Sequence, residues 1–390
     1  MSRLSDIVTG TIHELSRKGT GILHIGKIPV YVAGTAPGDT ITAMVIKTSK
    51  HFAIGKLLTI VSPSPFRRPS PCPASPRCGG CGLIHLDPSY QRQQKIQWLR
   101  DLLDTQGLTC EISDMVIGHE LGYRHRINLS KTTHTSLPYG MNRWHSQYIE
   151  PLSHCPIAVP SINDAWDQWS EWGESRHLST LTISANGSGQ TAVAGNDSDG
   201  RRYDSGDTIL TDTLNGIRYS WTSDSFFQSN IPLAAQLVKT VASLLSPGRL
   251  ETGVDVFCGV GLFGLYMATM CHAIVGIESN PAAVDMARFN ADANGIDNFE
   301  VRCQEAEPFF KSGVPMDFGV VDPPRTGLGP ALCDQICQSG IGRWVYVSCN
   351  PITLATDLAR LSSHYSISTI IPFEMFPNTV HSEVVVSLTR

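Results

Sequence analysis

The residues best suited to do chemistry stand at the ends of apolar, strand-like runs in the last third of the chain. Val345-Tyr346-Val347-Ser348 delivers Cys349, followed by Asn350-Pro351, and Phe318-Gly319-Val320-Val321 delivers Asp322-Pro323-Pro324-Arg325, with Asp322 27 residues before the cysteine. In open α/β sheets ligands bind outside the carboxyl ends of the strands. A thiol at such an end can attack what the pocket holds, and covalent attack splits one hard step into two easier ones.

A cofactor turn is legible upstream. In Gly253-Val254-Asp255-Val256-Phe257-Cys258-Gly259-Val260-Gly261-Leu262-Phe263-Gly264, an apolar strand runs into Gly259, Gly261 and Gly264, the spacing of a nucleotide-binding turn. A second apolar strand, Ala273-Ile274-Val275-Gly276-Ile277, closes on Glu278, 23 residues after Asp255, where a ribose diol would need an acceptor. The turn leaves NAD and S-adenosylmethionine both open. Asp322-Pro323-Pro324 discriminates between them, because a stiff Asp-Pro-Pro loop resembles those of nucleic-acid methyltransferases that modify a flipped base. Cys258, inside the turn, reads as packing.

A separate constellation is Cys72, Cys78 and Cys81, C-x5-C-x2-C in a loop rich in proline and glycine. A fourth ligand must come from elsewhere, and Cys155 in His154-Cys155-Pro156 is the choice. By count, four thiolates suit zinc or an iron–sulfur cluster equally, and spacing leans towards zinc. A disulfide framework is not expected, since the eleven cysteines are an odd number and no secretory signal is evident.

These groups need a large scaffold. The chain has 390 residues, enough for two to three domains at roughly 150 each. Charged residues make up 17%, below the ~25% usual for globular domains, and hydrophobic residues 41%. No apolar run reaches the ~18 residues of a membrane span, so a cytoplasmic chain with no membrane partner is expected. The net charge of −5 is unevenly spread: residues 1–100 hold 13 Lys and Arg against 4 Asp and Glu, the remainder 17 against 31. A basic module joined to an acidic body suits a nucleic-acid partner.

Three regions are expected. Residues 1–62 carry short β-like runs (Gly10–His13, Ile28–Val32, Thr40–Ile46) broken by Gly and Pro, which reads as an OB-like β-barrel. Residues 63–217 hold the cysteine loop, a helix near Tyr90–Gln106, a strand-like run at Leu178–Ile183, and an exposed turn at Gly195–Gly200. Residues 218–390 alternate strands and helices, the pattern of a parallel, helix-covered sheet. The fold class is therefore α/β, with a Rossmann-like catalytic domain, an N-terminal barrel and a central α+β domain.

Taken in order, Phe226-Phe227-Gln228-Ser229-Asn230, the turn at Asp255, Glu278, Asp322-Pro323-Pro324-Arg325, Ser348-Cys349-Asn350-Pro351 and Phe376-Pro377-Asn378-Thr379-Val380-His381-Ser382-Glu383 resemble the RNA uracil-5-methyltransferase family across nearly the whole chain. The resemblance implies a class I S-adenosylmethionine-dependent fold and an N-terminal RNA-binding TRAM domain. It implies a [4Fe-4S] cluster on Cys72, Cys78, Cys81 and Cys155, which displaces zinc as the expectation. Cys349 is the implied nucleophile towards C6 of a uridine and Glu383 the base that takes the C5 proton. Gln228, Phe257, Glu278 and Asp322 are the implied cofactor contacts, with Gly259 and Gly261 in the turn. Ribosomal RNA, 23S in particular, is the favoured substrate, with transfer RNA the alternative, and a monomer is expected. A cytosine-C5 enzyme would place a cysteine in the Asp322 loop, whereas none follows until Cys333. A vestigial RNA-binding protein would not keep both Cys349 and Glu383. Two departures stand out: Leu262 where relatives often carry a polar residue, and Ser382 where an apolar one is common. Phe226 and Phe227 read equally well as base-stacking or core residues.

Overall fold

The computed structural model describes residues 6–144, 146–223, 225–311 and 313–390; Met1–Ser5 of the expected barrel lie outside them. Six strands come first: β1 (Ile7–Thr11), β2 (Glu14–Leu15), β3 (Thr20–Ile25), β4 (Ile28–Ala33), β5 (Thr40–Thr48) and β6 (Ala53–Ser62). They form one sheet in the order β1-β5-β6-β4-β3-β2. Three breaks of register along β5 and β6 bend these long strands, closing them over Val8, Leu23, Val30, Val32 and Ile41. The run expected at Gly10–His13 ends as a strand at Thr11. Beyond it the Ile12 amide donates to Asp39 O at 2.8 Å and the chain turns.

The next elements are α1 (Pro88–Thr105), β7 (Arg126–Lys131), β8 (Tyr139–Asn142), β9 (Ile149–Pro151), α2 (Pro160–Asp164), α3 (Trp166–Ser175), β10 (Thr180–Ala185), β11 (Thr191–Asn196) and β12 (Arg202–Gly206). The strands order as β12-β11-β10-β7-β8-β9, and β13 (Ile209–Leu214) with β14 (Ile217–Thr222) forms a separate hairpin. Helix α1 begins before the expected Tyr90 because the Asp87 side chain caps the amides of Ser89 and Tyr90 and Pro88 takes the first turn. The turn expected at Gly195–Gly200 is shorter. Gly195 lies inside β11 opposite Leu181, where an added Cβ would stand 2.5 Å from Thr180 O. That glycine serves close strand approach, and only Asp197–Gly200 turn.

The remaining elements are α4 (Ile231–Leu245), β15 (Thr252–Val256), α5 (Leu262–Ala268), β16 (Ala273–Glu278), α6 (Pro281–Asn294), β17 (Phe299–Cys303), α7 (Ala306–Lys311), β18 (Phe318–Val321), α8 (Gly329–Gln338), β19 (Arg343–Ser348), α9 (Pro351–Leu361), β20 (Ser366–Phe373) and β21 (Glu383–Thr389). They build a seven-stranded sheet in the order β17-β16-β15-β18-β19-β21-β20. The first five strands are parallel, as expected. The exception is β21, which runs antiparallel to both β19 and β20, so β20 keeps the direction of the first five strands. No crossover helix joins β20 to β21, so the chain returns in the opposite direction. Strand order reverses between β15 and β18, which opens a crevice at their carboxyl ends. No helix among the described residues is long and apolar enough to cross a membrane.

Candidate active site

Register brings the candidate residues to one edge of the seven-stranded sheet. Val256 pairs with Ile277 on one side and Val321 on the other, and Val321 pairs with Tyr346. The residues that follow these strands, Phe257–Gly261, Glu278, Asp322–Arg325 and Cys349, therefore leave the sheet together. Ser348 pairs with Val384. Cys349 and Glu383 flank this last pair, close enough for the Glu383 charge to act on the thiol.

Local hydrogen bonds lock this edge. Asn350 caps α9 through the Ile352 amide at 3.2 Å, and its Nδ2 donates to Arg325 O at 2.7 Å. One side chain thus ties the cysteine turn to the Asp322–Arg325 loop. The far end of that loop is latched by Asp357 of α9, whose Oδ2 accepts from the Leu328 amide at 2.8 Å and the Tyr346 hydroxyl at 2.7 Å. Neither Asn350 nor Asp357 was singled out from sequence. Asp357 carried a signal: it falls on the apolar face of α9 with Leu354, Leu358 and Leu361, where an acid needs a buried partner.

The electrostatics are those of crowded acids. Burial pushes the Cys349 thiol up to about 11, and nearby Glu383 and Asp322 add to this while Arg325 opposes it. Glu383, 2% exposed, is held well above the usual carboxylate range by burial and by Asp322, against the pull of Arg325. Asp322 is also raised by burial. Two carboxylates in one desolvated site resist ionising together. Arg325 Nη2 lies 2.8 Å from His381 Nδ1. A guanidinium only donates, so Nδ1 accepts and the ring is neutral. Desolvation, then Arg325, Lys95 and Arg124, push the imidazole down to about 4, which favours a structural His381.

The turn after β15 is built for close approach. Asp255 is fully buried and its Oδ2 accepts from the Gly264 amide at 2.7 Å, drawing the start of α5 onto the strand. Phe257 is non-glycine at φ 64°, in the sparsely populated left-handed region where functional strain gathers. Glu278 Oε2 accepts from the Gly259 amide at 3.1 Å and Oε1 from the Asn280 amide at 2.8 Å, so the acid is oriented at the lip of the turn. Leu262 is buried in the core. Its aliphatic side chain offers no polar group to the turn, whose own backbone amides are the polar groups there. Cys258 is also buried there, in keeping with a packing role.

Gln228 comes from a different element, the loop before α4, and is 4% exposed. The Arg126 guanidinium donates to Ser225 O at 2.9 Å, and Asn230 Nδ2 donates to Met375 O at 3.1 Å, so this loop is tied to both the central sheet and the β20–β21 connection. The two phenylalanines separate cleanly. Phe227 stacks on Trp221 at 4.1 Å in the core, whereas Phe226 is 68% exposed.

Cys72, Cys78, Cys81 and Cys155 line one cavity of about 280 Å³, together with Arg124, Thr379 and His381. Burial and then the neighbouring thiols push Cys81 upward, and burial chiefly pushes Cys78 up to about 11. Backbone amides point at two of the sulfurs: Gly80 N lies 3.4 Å from Cys78 Sγ, and Ile157 and Ala158 favour the Cys155 thiolate. Among the described residues, no group of three or more His, Cys, Asp or Glu side chains stands at distances that would hold a single metal ion.

Known proteins resemble this chain over nearly its whole length. The family model described as tRNA (Uracil-5-)-methyltransferase matches residues 206–314 and 315–390. A tRNA (uracil(54)-C(5))-methyltransferase of Pyrococcus horikoshii is 30% identical, over 97% of this chain and 99% of that protein. A 23S rRNA (uracil(1939)-C(5))-methyltransferase of Vibrio parahaemolyticus is 29% identical, over 95% and 93%. The crystal structure of Pyrococcus abyssi tRNA (uracil-54, C5)-methyltransferase in complex with S-adenosyl-L-homocysteine superposes with a TM-score of 0.79 at 28% identity, covering 98% of this chain and 100% of that one. The seven-stranded domain is thus a class I methyltransferase fold preceded by an N-terminal β domain, and the chain belongs to the S-adenosylmethionine-dependent RNA uracil-C5-methyltransferase family.

Proposed function

We propose that the protein methylates C5 of a uridine in RNA, with Cys349 as nucleophile and Glu383 as base. The observation that carries this reading is the Ser348–Val384 register, which sets a thiol beside a buried acid at the cofactor edge of the sheet. S-adenosylmethionine, when bound, supplies the methyl group on its sulfonium. Gly259, Gly261 and Glu278 suit its nucleoside end, with Phe257, Asp322 and Gln228 as further contacts.

C5 of uracil is a poor nucleophile. Addition of the Cys349 thiolate to C6 moves the C5=C6 electron pair to O4 and makes C5 an enolate carbon able to take the methyl group. The C5 proton then passes to Glu383, its bonding pair restores C5=C6, and the C6–S bond breaks to return the thiolate. Arg325 favours both anionic partners. The uridine must leave its stack for C6 to be reached, and the exposure of Phe226, two residues before Gln228, suits stacking on a neighbouring base. Lys47, Lys50 and Lys56 on and between β5 and β6, beside exposed Ile46, Phe52 and Leu58, suit an RNA-binding TRAM role for the N-terminal sheet.

The four cysteines fit a [4Fe-4S] cluster: they share a cavity and repel one another as thiolates, and backbone N–H groups are aimed at Cys78 and Cys155. Anaerobic protein is expected to be brown with about four irons per chain; a colourless protein with one zinc overturns this. Ribosomal RNA, 23S in particular, is the favoured substrate. The whole-length similarity to a tRNA enzyme supports the second reading, transfer RNA, and mapping 5-methyluridine in total RNA with and without the protein separates the two.

RNA containing 5-fluorouridine tests the mechanism, because C5 then carries no removable proton. A covalent adduct should form with S-adenosylmethionine and vanish in Cys349→Ala. Persistence of the adduct overturns the nucleophile assignment. Glu383→Gln should accumulate methylated covalent complex on natural RNA, and rapid turnover would point to another base.

A further inference from the structure

The segment from β20 to β21, which ends on Glu383, is held almost entirely from outside the catalytic sheet. Three consecutive carbonyls accept from the central region: Phe376 O from Lys95 Nζ at 3.1 Å, Pro377 O from the Tyr123 hydroxyl at 3.0 Å, and Asn378 O from the Leu83 amide at 2.9 Å. Asn378 itself is 1% exposed and left-handed at φ 67°. Its Oδ1 accepts from Arg68 Nη2 at 2.6 Å and Gln91 Nε2 at 3.1 Å, its Nδ2 donates to Glu120 O at 2.8 Å, and its amide donates to Gln91 Oε1 at 3.0 Å.

Helix α1 explains why one element can do this. Its buried residues, Gln91, Lys95, Trp98, Leu99, Leu102 and Leu103, fall on one face at helical spacing. The first two are polar and grip the segment before Glu383. The last three join the core that contains Leu354 and Leu358 of α9, and α9 starts two residues after Cys349. One rigid helix therefore spans from the base's loop to the nucleophile's helix.

We propose that Asn378 and Gln91 are positioning residues that set Glu383 against the C5 proton through α1. This rests on the reading of Glu383 as base. A left-handed residue with every side-chain polar atom bonded fixes its loop in one geometry, and misplacing a base by about 1 Å slows its step by up to ~100-fold.

The test uses full-length protein and RNA carrying 5-tritiated uridine, with methyl transfer measured in a single turnover and tritium release measured beside it. Asn378→Gly keeps the left-handed backbone and removes the side-chain bonds, and Gln91→Met removes their partner. Both should leave methyl transfer within about threefold, lower tritium release about tenfold and accumulate methylated covalent complex. Asn378→Asp, which still accepts from Arg68 and Gln91, should recover part of the release. Combined with Glu383→Gln, Asn378→Gly should slow release no further. If either variant loses the folded state by circular dichroism, Tyr123→Phe, which removes only the bond to Pro377, replaces it and should slow release selectively. Equal loss of methyl transfer and release, or a multiplicative fall in the double variant, overturns the proposal. Normal release in Glu383→Gln alone overturns the base assignment instead.

Discussion

Asp357→Ala should cost far more than a typical helix substitution and should loosen the cofactor edge. The carboxylate is 5% exposed, and its Oδ2 is the shared acceptor for the Leu328 amide and the Tyr346 hydroxyl. Both donors are buried, at 8% and 0% exposure, so neither finds bulk water once the acceptor is gone. A hydrogen bond to a charged group contributes about 1.5–3 kcal/mol, and a stranded buried donor adds its desolvation penalty. Water entering the vacated volume recovers part of that, leaving a loss of about 3–5 kcal/mol. Tyr346→Phe removes one donor cleanly and should cost about 1 kcal/mol; in the double variant the two losses should fall short of additivity by about 1 kcal/mol or more. Denaturant unfolding gives the stabilities, and calorimetric titration with S-adenosylhomocysteine reports the Asp322–Arg325 loop that Asp357 latches. An Asp357→Ala protein within about 1 kcal/mol of its parent, or one destabilised with unchanged affinity, would refute the latch.

Three further outcomes are expected. The rate of adduct formation on 5-fluorouridine RNA should climb with pH through the neutral range, since the Cys349 thiol is pushed up to about 11; Arg325→Gln removes the cation that lowers it and should move the profile to higher pH, and a flat profile would show that thiolate formation does not limit the step. Glu383→Gln should be more thermostable than its parent, by a margin that grows with pH. Folding raises the proton affinity of Glu383, so its contribution to stability is lost as pH rises above the usual carboxylate range, and the ionised form able to take the C5 proton is the destabilised one; a margin that shrinks with pH contradicts the sign. Phe227→Ala should lose about 3–5 kcal/mol of stability through its stack on Trp221, whereas exposed Phe226→Ala should leave stability unchanged and weaken RNA binding at least several-fold, which fluorescence anisotropy measures.

Most of the parallel half of the sheet was legible because β16, β18 and β19 are near-continuous apolar runs and the turns after β15, β16, β18 and β19 carry glycine or an Asx residue, as in Gly259-Val260-Gly261 or Asn280-Pro281; β17, with Glu300 and Arg302 between its apolar residues, carries a weaker signal. The direction of β21 was not legible. Val384-Val385-Val386-Ser387-Leu388 reads as a buried strand in either direction. Its antiparallel course follows from the absence of a crossover helix after Phe373, in a connection whose loop looked like a functional motif. Gly195 failed for a related reason, since a glycine that lets strands approach has the same letter as one that turns the chain.

Within the site, legibility tracked how local each residue's task is. Cys349 ends a strand and precedes the Asn350-Pro351 start of a helix, and Glu278 is positioned by amides at 259 and 280, so the neighbouring letters constrain both. Arg325 sat in view inside a motif without a role, because its partners Cys349, His381 and Glu383 meet it only through strand register. Asn378 lies at the other extreme. Its side chain bonds Gln91 and Arg68 across separations of 287 and 310 residues, and nothing in Pro377-Asn378-Thr379 distinguishes a buried left-handed hub from an exposed Asx turn. Reacting groups must have a particular chemistry and so leave a mark in sequence. The groups that hold them need only a complementary donor or acceptor, which many residue types at many distances supply, and so the brace around Glu383 emerges only once the sheet and α1 are set side by side.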